Sequence, residues 1–163
     1  MNEKQEITVI EFINMIFQDA YEHNQESVAK QSQIFVSELS QTLAQGQELE
    51  VLLKNRLEAG RRLGWIEEQD IINGERRLDR RTCARLLHMY RKLVLGIKDA
   101  ADITSAYDIK DLFDCRVCAN HIAQMVIQGV MEPVFLENIK IFDVYGSVTV
   151  EEARVFIKKL FLL

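Results

Sequence analysis

Apolar residues recur at three- and four-residue intervals through most of this chain, the period of one face of an α-helix. Val9, Phe12, Ile13, Ile16, Phe17 and Ala20 form one broad stripe, opened by Thr8 and Glu11 at the spacing of a capping box. A second stripe, Ile34, Phe35, Leu39 and Leu43, predicts a helix from about residue 27 to Gly46 with a solvated Gln- and Ser-rich outer face. A third runs from about Glu48 through Val51, Leu52, Leu57 and Leu63 to Gly64, a left-handed stop, after which Trp65 and Ile66 turn back toward the core. Asp79 caps a fourth helix carrying Cys83, Leu86, Leu87, Tyr90, Leu93 and Val94. A loop with a helical turn follows, and a fifth helix is expected from about Asp111 to Gln128, ended by Gly129. Residues 132–147 hold the single Pro and read as a loop with a short extended pair. Thr149 and Glu152 repeat the capping-box spacing ahead of Ala153, Phe156, Ile157, Leu160 and Phe161.

Composition agrees with this pattern. One Pro and seven Gly in 163 residues is too little punctuation for an all-β chain, which needs a turn about every 10 residues. The expected fold is all-α, one domain over 1–163 with about six helices and short loop or extended segments. No stretch reaches the roughly 20 apolar residues of a membrane span. The first residues lack the cationic and apolar run of a secretory signal, and three cysteines is an odd count for a disulfide framework. As the chain stands these features favour the cytoplasm, with the cell surface as the alternative if a leader has been removed.

The helix caps repeat. Ile7-Thr8-Val9-Ile10-Glu11-Phe12, Leu78-Asp79-Arg80-Arg81-Thr82-Cys83 and Val148-Thr149-Val150-Glu151-Glu152-Ala153 each place an apolar residue before a cap and a core helix, so the three capped helices are expected to pack together. Ahead of the second and third lie Leu63-Gly64-Trp65-Ile66 and Gln128-Gly129-Val130-Met131, each a helix end followed by apolar residues. This layout resembles the S-layer homology repeat, with units at about 7–47, 48–96 and 102–161. The resemblance implies a pseudo-threefold bundle of post-cap helices and a groove for anionic cell-wall polysaccharide. The family's Thr-Arg-Ala-Glu signature is degenerate here: Arg80 alone matches its ligand-holding Arg, Val9 and Val150 replace the other two, and Glu11 and Glu152 are accounted for by capping.

Charge is unevenly distributed around a net of −5. Residues 1–53 carry −7, residues 54–98 carry +6 and residues 99–163 carry −4. The basic third contains five arginines in ten residues, Arg76, Arg77, Arg80, Arg81 and Arg85. A solvated face is the plainer reading of such a run, whereas a ligand role would direct Arg76, Arg77, Arg80 and Arg81 at an anion, with Trp65 near the groove. Cys115-Arg116-Val117-Cys118 followed by His121 is a lone C-x-x-C with a nearby His. Cys115, Cys118 and His121 could hold a soft metal or support redox sensing, but a second ligand pair is missing and core packing is the plainer reading of the cysteines. No nucleophile, base and orienter assemble around His88 or His121, so no catalytic residues and no cofactor are expected. The leading reading is a non-catalytic binding or scaffolding module for a protein or an anionic polysaccharide. The alternative is a metal-binding or redox-sensing protein using Cys115 and Cys118. Net acidity and scarce interleaved aromatics argue against nucleic acid.

Overall fold

The computed structural model describes residues 4–22 and 49–162. The helix expected at 27–45 lies outside the described residues. Within them the chain is mostly helical: α1 (Val9–Glu22), α2 (Leu49–Leu63), α3 (Glu68–Ile72), α4 (Arg80–Leu93), α5 (Ala119–Ile127) and α6 (Val150–Leu162). One antiparallel hairpin, β1 (Val134–Leu136) and β2 (Ile139–Ile141), pairs Val134 with Ile141 and Leu136 with Ile139. It occupies the segment where an extended pair was expected.

The caps act as the sequence indicates. Thr8 Oγ1 accepts from Glu11 N (3.2 Å) while the Glu11 carboxylate takes Thr8 N (2.8 Å). Thr149 and Glu152 exchange the same bonds, and Asp79 accepts from Thr82 N at 2.8 Å. Gly64 ends α2 at φ +89°, a conformation that a Cβ would strain, and Gly129 follows α5 at φ +77°.

The three apolar residues that precede these caps meet at the centre of the molecule. Ile7, Leu78 and Val148 are all fully buried. Ile7 N donates to Val148 O (3.1 Å), Val148 N to Leu78 O (3.0 Å) and Leu78 N to Ile7 O (2.8 Å). Two residues further along, Val9 N, Arg80 N and Val150 N donate to Arg76 O, Gly146 O and Gln5 O. Each segment therefore pairs with both others, through the bridges Glu6–Thr149, Thr8–Arg77 and Asp79–Ser147. The helices leave this ring with their apolar stripes turned inward, and α6 packs on both α1 and α4.

The region before α5 departs from the sequence reading. Residues 111–128 were expected to form one helix. The structure has 3₁₀ turns at Leu112–Asp114 and Arg116–Cys118, with α5 starting at Ala119. Asp111 is the cause: its carboxylate accepts from Phe142 N (2.6 Å) and Val144 N (3.1 Å), so it ties down the strand exit instead of capping a helix. Lys110 N also donates to Lys140 O, which anchors the chain to the hairpin. Cys115 is consequently extended (φ −122°, ψ 96°), and the C-x-x-C straddles a break. The short α3 was not anticipated. Its Asp70 caps it by accepting from Glu67 N at 2.9 Å.

Leu78 sits at the ring with no exposed surface, so its truncation leaves a cavity where three chain segments converge. Leu78→Ala should cost about 2–5 kcal/mol in urea-induced unfolding. A loss below about 1 kcal/mol would show that the ring is not a principal source of stability.

Candidate functional site

The five arginines of 76–85 separate into different environments. Arg80 turns inward and is 5% exposed. Its Nε donates to Phe142 O (2.7 Å), one Nη donates to Glu132 O (2.8 Å), and its guanidinium lies over the Phe142 ring at 4.6 Å. Arg77 is exposed and pairs with Glu6 at 3.2 Å. Arg76 closes the C-terminal end of α3 through Gln69 O and Asn73 O, and reaches Asp70 at 3.2 Å. Arg85 grips the same carboxylate with both Nη groups, at 3.0 and 2.5 Å. Arg81 gives its Nε to Asp79 (2.9 Å) and lies over the Tyr145 ring at 4.7 Å.

Two of the anticipated ligand residues are therefore structural. Trp65 is 1% exposed and packed between Phe17 (ring centroids 5.4 Å) and Tyr90 (5.0 Å). Arg80 is held by the buried Phe142 carbonyl and by the Glu132 carbonyl because the helix turn that follows Asp79 aims it at the two ends of the hairpin.

Arg76, Arg81 and Arg85 instead border one open cavity of about 310 Å³ between the start of α4 and the start of α5. Glu67 and Thr82 complete its near side, and Val117, Cys118 and His121 form the opposite wall. Three guanidiniums and one carboxylate, Glu67, thus share this side of the opening, with an Arg85 Nη 3.8 Å from Glu67. Asp70, fully buried beneath them, fixes the positions of Arg76 and Arg85. This set was partly legible: Arg81, Arg85 and His88 are spaced four and three residues apart on one face of α4. Nothing in the sequence relates Asp70 or His121 to them.

His121 reaches the cavity as the end of a buried chain. Its Nδ1 is 2.7 Å from His88 Nδ1, and His88 Nε2 is 2.7 Å from Asp99, which also binds Lys92 at 2.8 Å. A short contact between two ring nitrogens needs one N–H and one lone pair, so the rings cannot both be imidazolium. Burial, reinforced by the field of His88 and Arg85, pushes the His121 pKa down to about 4. His121 is a neutral imidazole at neutral pH.

Cys115 and Cys118 form a disulfide. His121 Nδ1 is turned to His88 in this arrangement. Among the described residues no group of three or more His, Cys, Asp or Glu side chains is placed to hold a metal ion. Cys83 is fully buried, and burial drives its thiol pKa far upward. No described helix is long and apolar enough to cross a membrane. Comparison with protein families, curated proteins and solved structures found no match.

Two outcomes follow from this geometry. Arg80→Ala should lower unfolding stability by about 2–4 kcal/mol, because the buried Phe142 carbonyl loses its donor; a change under about 0.5 kcal/mol would contradict a structural role. For His121, an imidazole NMR titration should give a midpoint near pH 4. The unfolded chain takes up that proton near pH 6.5, so it binds more protons than the folded one between the two values. The stability that His121 contributes is present above pH 6.5 and lost as pH falls toward 4, and His121→Gln should flatten this part of the stability profile. A midpoint above pH 6 would overturn the assignment.

Proposed function

We propose that this chain is a non-catalytic binding module of S-layer-homology-like organisation whose arginine-lined cavity takes an acidic group presented by an anionic polysaccharide or a protein partner. The observation that carries the reading is the convergence of Arg76, Arg81 and Arg85 on one opening that contains a single carboxylate. A guanidinium offers a planar fork of donors that suits a carboxylate or phosphate, and the amide end of α4 adds a field of the same sign. The pseudo-threefold arrangement is supported by the cyclic bonding of Ile7, Leu78 and Val148 and by the three equivalent caps. Arg80, at the position of the family's ligand-holding Arg, is committed to the fold, so the proposed contact surface shifts one residue along, to Arg81 and its neighbours.

Wild type, Arg81→Gln and Arg76→Gln should be titrated with anionic cell-wall glycan, heparin fragments and duplex DNA at low and high salt. Arg80 is left intact because its loss would confound binding with stability. Each substitution should weaken wild-type binding of the glycan or heparin about 5-fold or more, and added salt should weaken it further. Absent binding, or equal affinities in all three proteins, would overturn the reading. Tighter binding to DNA than to either glycan would replace it with a nucleic-acid one.

A further inference from the structure

The cavity wall that faces the arginines contains sulfur. Cys115, extended ahead of the 3₁₀ turn, is 7% exposed, whereas Cys118 is half-buried and lines the cavity. Cys118 N donates to Cys115 O at 3.1 Å, which closes the turn over the disulfide. Cys83, the free cysteine among the described residues, is fully buried and takes no part. An attacking group arriving through the cavity therefore meets Cys118 before Cys115, with Arg81, Arg85 and Arg76 on the facing side. Thiol–disulfide exchange depends on which sulfur can be reached and on the thiolate content of the attacker. Arg76 and Arg85 share Asp70 and Arg81 gives its Nε to Asp79, so the Nη groups of Arg81 are the donors placed to meet an anionic tail.

We propose that Cys115–Cys118 is a thiol–disulfide exchange site, reached at Cys118 from this cavity, whose co-substrate is a small thiol carrying a carboxylate. The proposal rests on the anion-binding reading of the cavity and names one class of ligand for it. About 310 Å³ lies at the lower end of small-molecule sites, which favours a small thiol over a folded protein. In the first step the co-substrate thiolate attacks Cys118 Sγ. A bond forms between those sulfurs, the Cys115–Cys118 bond breaks, and its electron pair leaves on Cys115, which takes the proton released by the incoming thiol. A second thiol then attacks the co-substrate sulfur of the mixed disulfide and frees Cys118 as a thiol. Two small thiols are oxidised to one disulfide while the protein disulfide becomes a dithiol, and the reverse sequence reoxidises the protein.

The test follows reduction of the air-purified protein by 3-mercaptopropionate, 2-mercaptoethanol and cysteamine, with alkylation and mass spectrometry as the readout. Each rate is normalised to that thiol's rate on an unstructured peptide containing the same Cys-Arg-Val-Cys disulfide, which removes differences in intrinsic reactivity. Wild type should favour 3-mercaptopropionate over cysteamine about 10-fold or more, and Arg81→Gln or added salt should reduce this to about 2-fold or less. With the disulfide of 3-mercaptopropionate, Cys115→Ser should form a mixed disulfide through Cys118 at least about 10-fold faster than Cys118→Ser does through Cys115. If those variants fail to fold, the wild-type rate ratios decide alone. Normalised rates equal for all three thiols, or Cys115 and Cys118 both found alkylated in the air-purified protein, would overturn the proposal. If that happens while glycan titration still depends on Arg81, exchange fails and anion binding stands. Loss of Arg81 dependence in the titration removes the anion reading itself.

Discussion

The fold depends on a ring of three backbone hydrogen bonds that closes between Ile7, Leu78 and Val148. Each residue lies two positions ahead of a core helix, so ordering the ring sets the starting point and direction of α1, α4 and α6 together. The segments are far apart in the sequence, and bringing them together costs loop-closure entropy that no local contact offsets. Complete burial of all three side chains supplies the compensation, and satisfying their amides against one another avoids leaving polar groups stranded in the core. The capping hydroxyls and carboxylates then complete the helix starts just outside the ring.

A second constraint, the buried Asp70 carboxylate, turns a run of like charges into a shaped surface. A carboxylate with no exposed area must be paired, and Asp70 is paired twice over, by Arg85 with both Nη groups and by Arg76. The cost of burying it is met by fixing two guanidiniums at the cavity rim, and rigid cations lose less entropy on meeting an anion than flexible ones. Asp79 does similar work for Arg81 while also capping α4.

Helix starts, glycine stops and the inward stripes were legible because each depends on neighbours within four residues. Thr8 with Glu11, Asp79 with Thr82 and Gly64 at positive φ are local in this sense. The break before α5 was not legible, because Asp111 is diverted by amides of Phe142 and Val144 about thirty residues away. The fate of Arg80 was hidden for the same reason, since its acceptors are carbonyls of a distant loop. Trp65 reads as either groove or core from its flanking residues, and only its contacts with Phe17 and Tyr90 decide between them. Of the site, the arginines could be read as a group, but their partners could not.

The arginine run and the C-x-x-C pair are separate signals in the sequence, and the packing of α4 against α5 joins them. That packing includes a polar contact: His88 on α4 meets His121 on α5, and Asp99 holds the far side of His88. An apolar contact would hold the helices equally well without ordering anything at the surface. Here the hydrogen-bonded chain fixes the rotation of the His121 ring, and His121 lies one helical turn beyond Cys118. The wall that carries the disulfide is thereby set at a defined distance from the wall that carries the arginines. Because His121 stays neutral at physiological pH, it adds no charge of its own to the cavity, whose field comes from the guanidiniums and from Glu67.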